Sequence, residues 1–236
     1  MPEKRKTPLL PLIVAVVAAL ALGVVLLQGG DDEEDAPVAA TPATASAAPP
    51  DSWEQLVRRE PDDPMALGEP DAPVVMVAYS EFQCPFCGKF ARDTEPVLVE
   101  KFVEDGTLRI EWRDFPYLGE ESTVAARGGR AAAAQGRFWE FEQAMYADQL
   151  PPNSGNLDED HLVSGAEDIG LDVDRFRDDL DSPEAEQAVQ DDFAEGQAIG
   201  VTGTPAFVIN GVPVIGAQPT EVFERTIEQA AEEAGR

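Results

Sequence analysis

The 236-residue chain is poor in cysteine, histidine and positive charge. It has 2 cysteines, too few for the disulfide framework of a small secreted scaffold. It has 1 histidine, His161. A structural zinc site asks for about four protein ligands, usually Cys or His, and this inventory does not supply them. Lys and Arg total 17 against 46 Asp and Glu, a net charge of −29. That excludes nucleic acid as a partner, because phosphate contacts need a basic surface. It also argues against docking of the soluble part onto anionic lipid. The acidity itself reads as solubility, or as adaptation to a salty or acidic medium. There is no internal repeat of about 20–50 residues.

Long apolar runs are missing except for one. Residues 9–27, LLPLIVAVVAALALGVVLL, carry no charge and are long enough to span a bilayer as a helix. Lys4, Arg5 and Lys6 precede the run, and Asp31, Asp32, Glu33, Glu34 and Asp35 follow it. Positive charge stays on the cytoplasmic side. The expected layout is a cytoplasmic basic segment over 1–8, one transmembrane signal-anchor helix over 9–27, and an extracytoplasmic remainder. The rival reading is a cleaved signal peptide, whose apolar core is shorter, about 7–15 residues. Both export the rest of the chain. No cysteine follows the run to serve as a lipoprotein anchor. Residues 28–52, acidic and then rich in Ala, Pro, Thr and Ser, cannot bury a core and read as a disordered tether.

The pattern turns globular over 53–236. Val74 to Tyr79 is a short apolar, β-branched run that predicts a buried strand. A helix follows, with Phe86, Phe90, Val97, Leu98 and Phe102 expected on one face. Pro96 is expected to kink it and Gly106 to end it. Thr107 to Phe115 predicts a second strand, with Leu108, Ile110 and Trp112 alternating. Strand, helix, strand makes a right-handed βαβ unit. Residues of about 120–200 have helical spacing, with Phe138, Phe141, Met145 and Tyr146 as a core stripe. Ser182-Pro183-Glu184 predicts a helix start, and Gly200 a stop. Asn210-Gly211 between two apolar runs predicts a hairpin. A closing helix is expected over Thr220 to Glu233, facing inward through Phe223, Ile227 and Ala230. The result is an α/β fold with an inserted helical domain.

The chemistry lies in Cys84-Pro85-Phe86-Cys87, where a strand ends and a helix begins. The thiolate is the reactive form of cysteine, and a helix N-terminus offers free N–H groups and partial positive charge to stabilise it. Cys84 is therefore the expected nucleophile. Cys87, a turn later and closer to the interior, can resolve a mixed disulfide. Pro85 suits the first helical position. Three other readings stand beside this one. A structural disulfide closes too short a loop to remove much chain entropy. A zinc half-site lacks ligands, and a copper chaperone would need a further soft or imidazole ligand. His161, in an acidic helical stretch, is expected to be exposed. Thr204-Pro205 sits just before the hairpin strand. Alone it reads as a turn; beside a C-x-x-C motif it suggests more.

Together these segments resemble the DsbA-like thioredoxin-fold family. The resemblance is carried by Ser80-Glu81-Phe82-Gln83-Cys84-Pro85-Phe86-Cys87, Arg113-Asp114-Phe115-Pro116, Gly136-Arg137-Phe138-Trp139 and Gly203-Thr204-Pro205-Ala206-Phe207-Val208-Ile209-Asn210-Gly211, in that order. It covers residues 64–234 and implies a thioredoxin-like fold with a helical insertion. Cys84 is implied to be an exposed nucleophile and Cys87 its partner. Pro205 is implied to be cis, facing the disulfide, with the Thr204 backbone pairing with substrate peptide. The redox-active disulfide serves without metal or organic cofactor. Implied partners are exported, reduced or unfolded proteins and a membrane quinone-linked reoxidant. Two departures stand out. Phe86 occupies the position where the best-known periplasmic oxidases carry histidine. Ala78 occupies the position, six before the first cysteine, where many relatives carry an acid. Glu81 is the candidate to take over proton handling for Cys87.

Overall fold

A computed structural model describes residues 52–235. The basic start, the apolar run 9–27 and the tether up to residue 51 lie outside the described residues. Among the described residues, no helix is long and apolar enough to cross a membrane.

Strands β1 (Ala66–Leu67), β2 (Val74–Ser80), β3 (Leu108–Asp114), β4 (Ala206–Ile209) and β5 (Val212–Ile215) form one sheet in the order β1-β3-β2-β4-β5. β2 is central, parallel to β3 and antiparallel to β4. Its position explains its apolar run: both faces are covered. Val74, Met76 and Ala78 face one core with Phe90, Leu98, Phe207, Phe223 and Ile227. Val75, Val77 and Tyr79 face another with Leu56, Phe115 and Ala206. Neighbouring side chains on a strand point to opposite faces, so burying both leaves no polar alternation to read.

The helix after β2 is two pieces. α1 (Pro85–Asp93) ends at Thr94, and α2 (Glu95–Leu98) runs into a wide π turn over Val99–Val103. The break falls at Thr94, with Pro96 inside the first turn of α2, where its missing N–H is tolerated. The single buried face expected from sequence holds only in part. Phe90, Leu98 and Phe102 are buried, but Phe86 is 62% exposed and Val97 39%. α1 and α2, with the closing helix α8 (Thr220–Ala234), cover the first face of the sheet.

Between β3 and β4 the insertion supplies α3 (Glu120–Ala133), α4 (Phe138–Ala147), α5 (Glu159–Asp168), α6 (Val173–Leu180) and α7 (Pro183–Ala198). The stripe Phe138, Phe141, Met145 and Tyr146 lies in the core of this bundle, which Cys84 and Cys87 join at its edge. The Ser182 hydroxyl caps α7 by accepting from Ala185 N at 3.1 Å. Gly200 takes a φ of +86° just past its end. Asn210 and Gly211 both have positive φ, at 42° and 88°, as a type I′ hairpin turn requires. His161 is half-buried on α5, where exposure was expected; the helix packs that side against its neighbours.

The alternation of Leu108, Ile110 and Trp112 does not mark a solvent-facing side on β3. Arg109, Glu111 and Arg113, between them, are equally buried. Glu111 accepts from the Arg58 and Arg59 amides at 3.0 and 2.8 Å. It also pairs with Arg109 at 3.0 Å and Arg113 at 2.9 Å. Arg113 reaches Glu195 of α7 at 3.2 Å, while Asp192 of α7 pairs with Arg58 and Arg130.

Candidate active site

β2 delivers the chain to Ser80, and a short turn through Glu81, Phe82 and Gln83 leads into α1. Cys84 is the N-cap residue, extended at φ −71° and ψ 116°, with Pro85 in the first turn. Its carbonyl accepts the first helical bond from Gly88 N at 3.1 Å, and its amide donates to Glu81 O at 3.3 Å. Phe82 anchors the turn in an aromatic cluster with Trp112, Phe141 and Tyr146. The Gln149 side-chain amide donates to Phe82 O at 2.8 Å and to Cys84 O at 2.9 Å. Gln83 donates to Ser122 Oγ at 2.8 Å and accepts from Asn153 N at 2.6 Å. A Cβ at position 88 would overlap the Gln149 amide, so Gly88 is what lets this clasp close.

Both cysteines are free thiols. The Cys87 thiol facing it is the largest influence holding Cys84 down at about 6, against burial, with help from the Thr204 hydroxyl and the Cys87 and Phe86 amides. Those amides are the open N–H groups of the helix start. Burial pushes Cys87 well above the ordinary thiol range, and the Cys84 sulfur adds to it. The pair is thus divided into a thiolate former and a proton holder.

The Thr204–Pro205 peptide bond is cis. The Cys84 thiol donates to Thr204 O at 3.2 Å. The Thr204 hydroxyl is buried without a hydrogen-bond partner among the described residues. This loop corrects one expectation. Cys84 is 2% exposed rather than an open nucleophile, because Thr204 lies directly on its sulfur. Phe86, by contrast, projects into solvent, so it does not pack. Tyr117, 41% exposed, stands beside Gly203. Phe86 and Tyr117 give the site an apolar rim.

Glu81 is 1% exposed, and its carboxyl oxygens make no well-formed hydrogen bond, only weak approaches from the Ser122 hydroxyl and the Leu118 backbone. Burial raises it to about 7, with the Cys84 charge pushing the same way; the Ser122 hydroxyl and Leu118 backbone partly offset this. At Cys87, the Ser80 and Thr204 side chains partly offset the rise caused by burial and the Cys84 sulfur. Tyr146 Oη donates to Glu81 O at 2.9 Å and lies 3.3 Å from Ser80 Oγ. Sequence reasoning gave Gln83 and Tyr146 no role at the site and missed Tyr117, Ser122 and Gln149. Among the described residues, no group of three or more His, Cys, Asp or Glu is placed to hold a metal.

Replacing Thr204 by Val removes a polar group that favours the Cys84 anion. The thiolate ultraviolet absorbance of the reduced protein should titrate near pH 6 in the wild type and at higher pH in Thr204→Val. Since folding lowers this thiol, the reduced form gains stability as pH rises from about 6 towards 9 and loses that gain as pH falls through 6. An unchanged midpoint in the variant would remove Thr204 from the account.

The chain belongs to the thioredoxin family, whose model Thioredoxin_4 matches residues 60–229. It is 31% identical over 150 residues to the "Probable disulfide bond formation protein D" of Bacillus cereus, covering 62% of this chain and 69% of that one. The crystal structure of α-DsbA1 from Wolbachia pipientis superposes with a TM-score of 0.68 at 25% identity, covering 77% of this chain and 96% of that one. These two relatives are DsbA-type thiol–disulfide oxidoreductases, whose redox group is a cysteine pair rather than an added cofactor. The chain is also 32% identical over 177 residues to the "Na(+)/H(+) antiporter NhaA 1" of Salinispora arenicola. It spans about a quarter of that relative's length, 26%, against 74% of its own.

Proposed function

We propose that the protein is a membrane-anchored, extracytoplasmic dithiol oxidase that forms disulfides in exported proteins through Cys84 and Cys87. The observation that carries this is the division of the pair: Cys84 held down at about 6, Cys87 pushed well up by burial. Stabilising the reduced form as a thiolate makes the disulfide a better oxidant. A substrate thiolate attacks Cys84 Sγ, the Cys84–Cys87 bond breaks, and Cys87 leaves with the electron pair and takes a proton. A second substrate thiolate then attacks its own mixed disulfide, releasing oxidised substrate and the Cys84 thiolate. The Thr204 carbonyl and cis Pro205 position the substrate chain, and Phe86 and Tyr117 offer it an apolar rim.

The layout that suits this function is the anchor over 9–27 with its N-terminus cytoplasmic, the tether over 28–52 and the catalytic domain over 53–236. A membrane quinone-linked partner is the proposed reoxidant. The second reading is a reductase or isomerase. It is favoured by Phe86, which cannot stabilise the thiolate as a histidine would.

The test is the reduction potential of the full chain in detergent, equilibrated with glutathione buffers. Thioredoxin has a thiol near 7 and a potential of about −270 mV; DsbA has about 3.5 and about −120 mV. With Cys84 at about 6, a potential between these limits is expected. A value at or below thioredoxin's would sink the oxidase reading.

A further inference from the structure

Cys87 is 1% exposed. When the disulfide opens it departs as a thiolate, where burial and then the Cys84 sulfur oppose that charge. Such an anion needs a hydrogen-bond donor in place at the moment the S–S bond breaks.

The end of β2 supplies one. Side chains alternate along a strand, so Ser80 shares a face with Met76 and Ala78, the face that Phe90 of α1 covers. Ser80 is the last residue of β2 and is 6% exposed. Its hydroxyl and that of Thr204 both favour the Cys87 anion. Thr204 also serves Cys84, over which it lies.

The resting partner of the Ser80 hydroxyl is Tyr146. Tyr146 Oη has a single proton and donates it to Glu81 O at 2.9 Å. In the 3.3 Å contact between Ser80 Oγ and Tyr146 Oη, Ser80 is therefore the donor. Burial and then the Cys87 charge push the Tyr146 phenol well above its ordinary range, so it keeps its proton. A serine hydroxyl rotates about one bond, so its hydrogen can turn from Tyr146 to Cys87 with no backbone movement. We propose that Ser80 is a catalytic hydrogen-bond donor, turning its hydroxyl from Tyr146 Oη to Cys87 Sγ as the Cys84–Cys87 bond opens or closes.

This rests on the dithiol–disulfide reading above and adds a residue to it. A substrate thiolate bonds to Cys84 Sγ, the Cys84–Cys87 bond breaks, and its electron pair goes to Cys87 Sγ. Ser80 shares its hydrogen with that anion and does not give it up. Two substrate thiols release two protons to water. Water returns one to Cys87, and Cys84 remains a thiolate. Ser80 then turns back to Tyr146, its positioning residue. The bond from Ser80 exists only while charge sits on Cys87, and is absent from both the disulfide and the neutral thiol.

The test is a pair of rates for the full-length protein in detergent at neutral pH. Opening is the loss of the internal disulfide in excess reduced glutathione. Closing is the decay of the Cys84–glutathione adduct formed from reduced protein and glutathione disulfide. Acid quenching and intact mass read both. Ser80→Ala should slow both by about tenfold or more, the loss expected when a donor to a charged group is removed. Its glutathione equilibrium should stay at the wild-type value, because neither end state holds the bond. Ser80→Thr keeps the hydroxyl and should keep both rates. Tyr146→Phe leaves the Ser80 hydroxyl free to face Cys87 and should not be slowed. A structural role would shift the equilibrium instead of both rates together. Wild-type rates in Ser80→Ala, or slowing matched by a shifted equilibrium, would overturn the proposal while leaving the redox reading intact. If Ser80→Ala fails to fold, Tyr146→Phe decides: slowing there by about tenfold or more would make Tyr146 the donor and overturn the proposal. A wild-type disulfide that glutathione does not open would overturn the redox reading itself.

Discussion

Cys87→Ala is expected to trap a mixed disulfide at Cys84 and to reduce turnover to background. Offered glutathione disulfide, the variant's Cys84 attacks as a thiolate; without the Cys87 thiol, the largest influence lowering it, Cys84 ionises at higher pH than in the wild type, where it lies at about 6. The product then persists, because the buried thiol that would resolve it is gone. The wild type closes its own disulfide and releases glutathione, and Cys84→Ala forms no adduct. Mass spectrometry of the intact chain reads all three results. The rate of adduct formation should fall with pH through a midpoint above 6, because the Cys87 thiol that does most to hold Cys84 down is gone in this variant. An adduct on Cys84→Ala would reverse the assigned roles. Access should also limit the rate, since Thr204 must shift from the sulfur before anything reaches it.

Glu111→Ala is expected to cost about 3–5 kcal/mol of folding stability, the range for leaving a buried charge unpaired. Glu111 has no exposed surface, and it neutralises Arg109 and Arg113 while accepting from the Arg58 and Arg59 amides. Burial alone would raise its carboxyl. The Arg58 and Arg59 amides and the Arg113 charge outweigh burial and hold it at about 2. Its contribution is therefore present above the ordinary carboxylate range and is lost as pH falls towards 2. Urea unfolding of wild type and variant measures the difference. A loss below about 1 kcal/mol, typical of an exposed pair, would mean that water screens the cluster.

The parts of this fold that could be read in advance are those specified by near neighbours in sequence. β2 shows as an apolar run, the hairpin as Asn210-Gly211, α7 by its Ser182-Pro183 cap, and the redox pair by its place between strand and helix. The parts that could not be read depend on distant partners. Arg109, Glu111 and Arg113 look like a solvent face until Arg58 and Glu195 arrive from either end of the domain. The alternating charges of Arg109-Ile110-Glu111-Trp112-Arg113 were the available signal. Gln149 is an ordinary loop residue until α4 brings it onto the carbonyls of Phe82 and Cys84. Phe86 shares its helical face with Phe90 one turn later, but it stands in the first turn of α1, at the open end of the helix, so helical spacing alone did not mark it as exposed.

The Asn210-Gly211 turn lies under Trp53, whose ring occupies the space that a side chain at Gly211 would need. That turn is bonded to Val75, at the beginning of β2, whereas Cys84 follows the end of the same strand. A strand of 7 residues separates the two by about 20 Å. Trp53 thus fixes the start of the described chain at one end of β2, and the sulfurs lie beyond the other, so the first described turn and the reactive pair stand at opposite ends of the sheet.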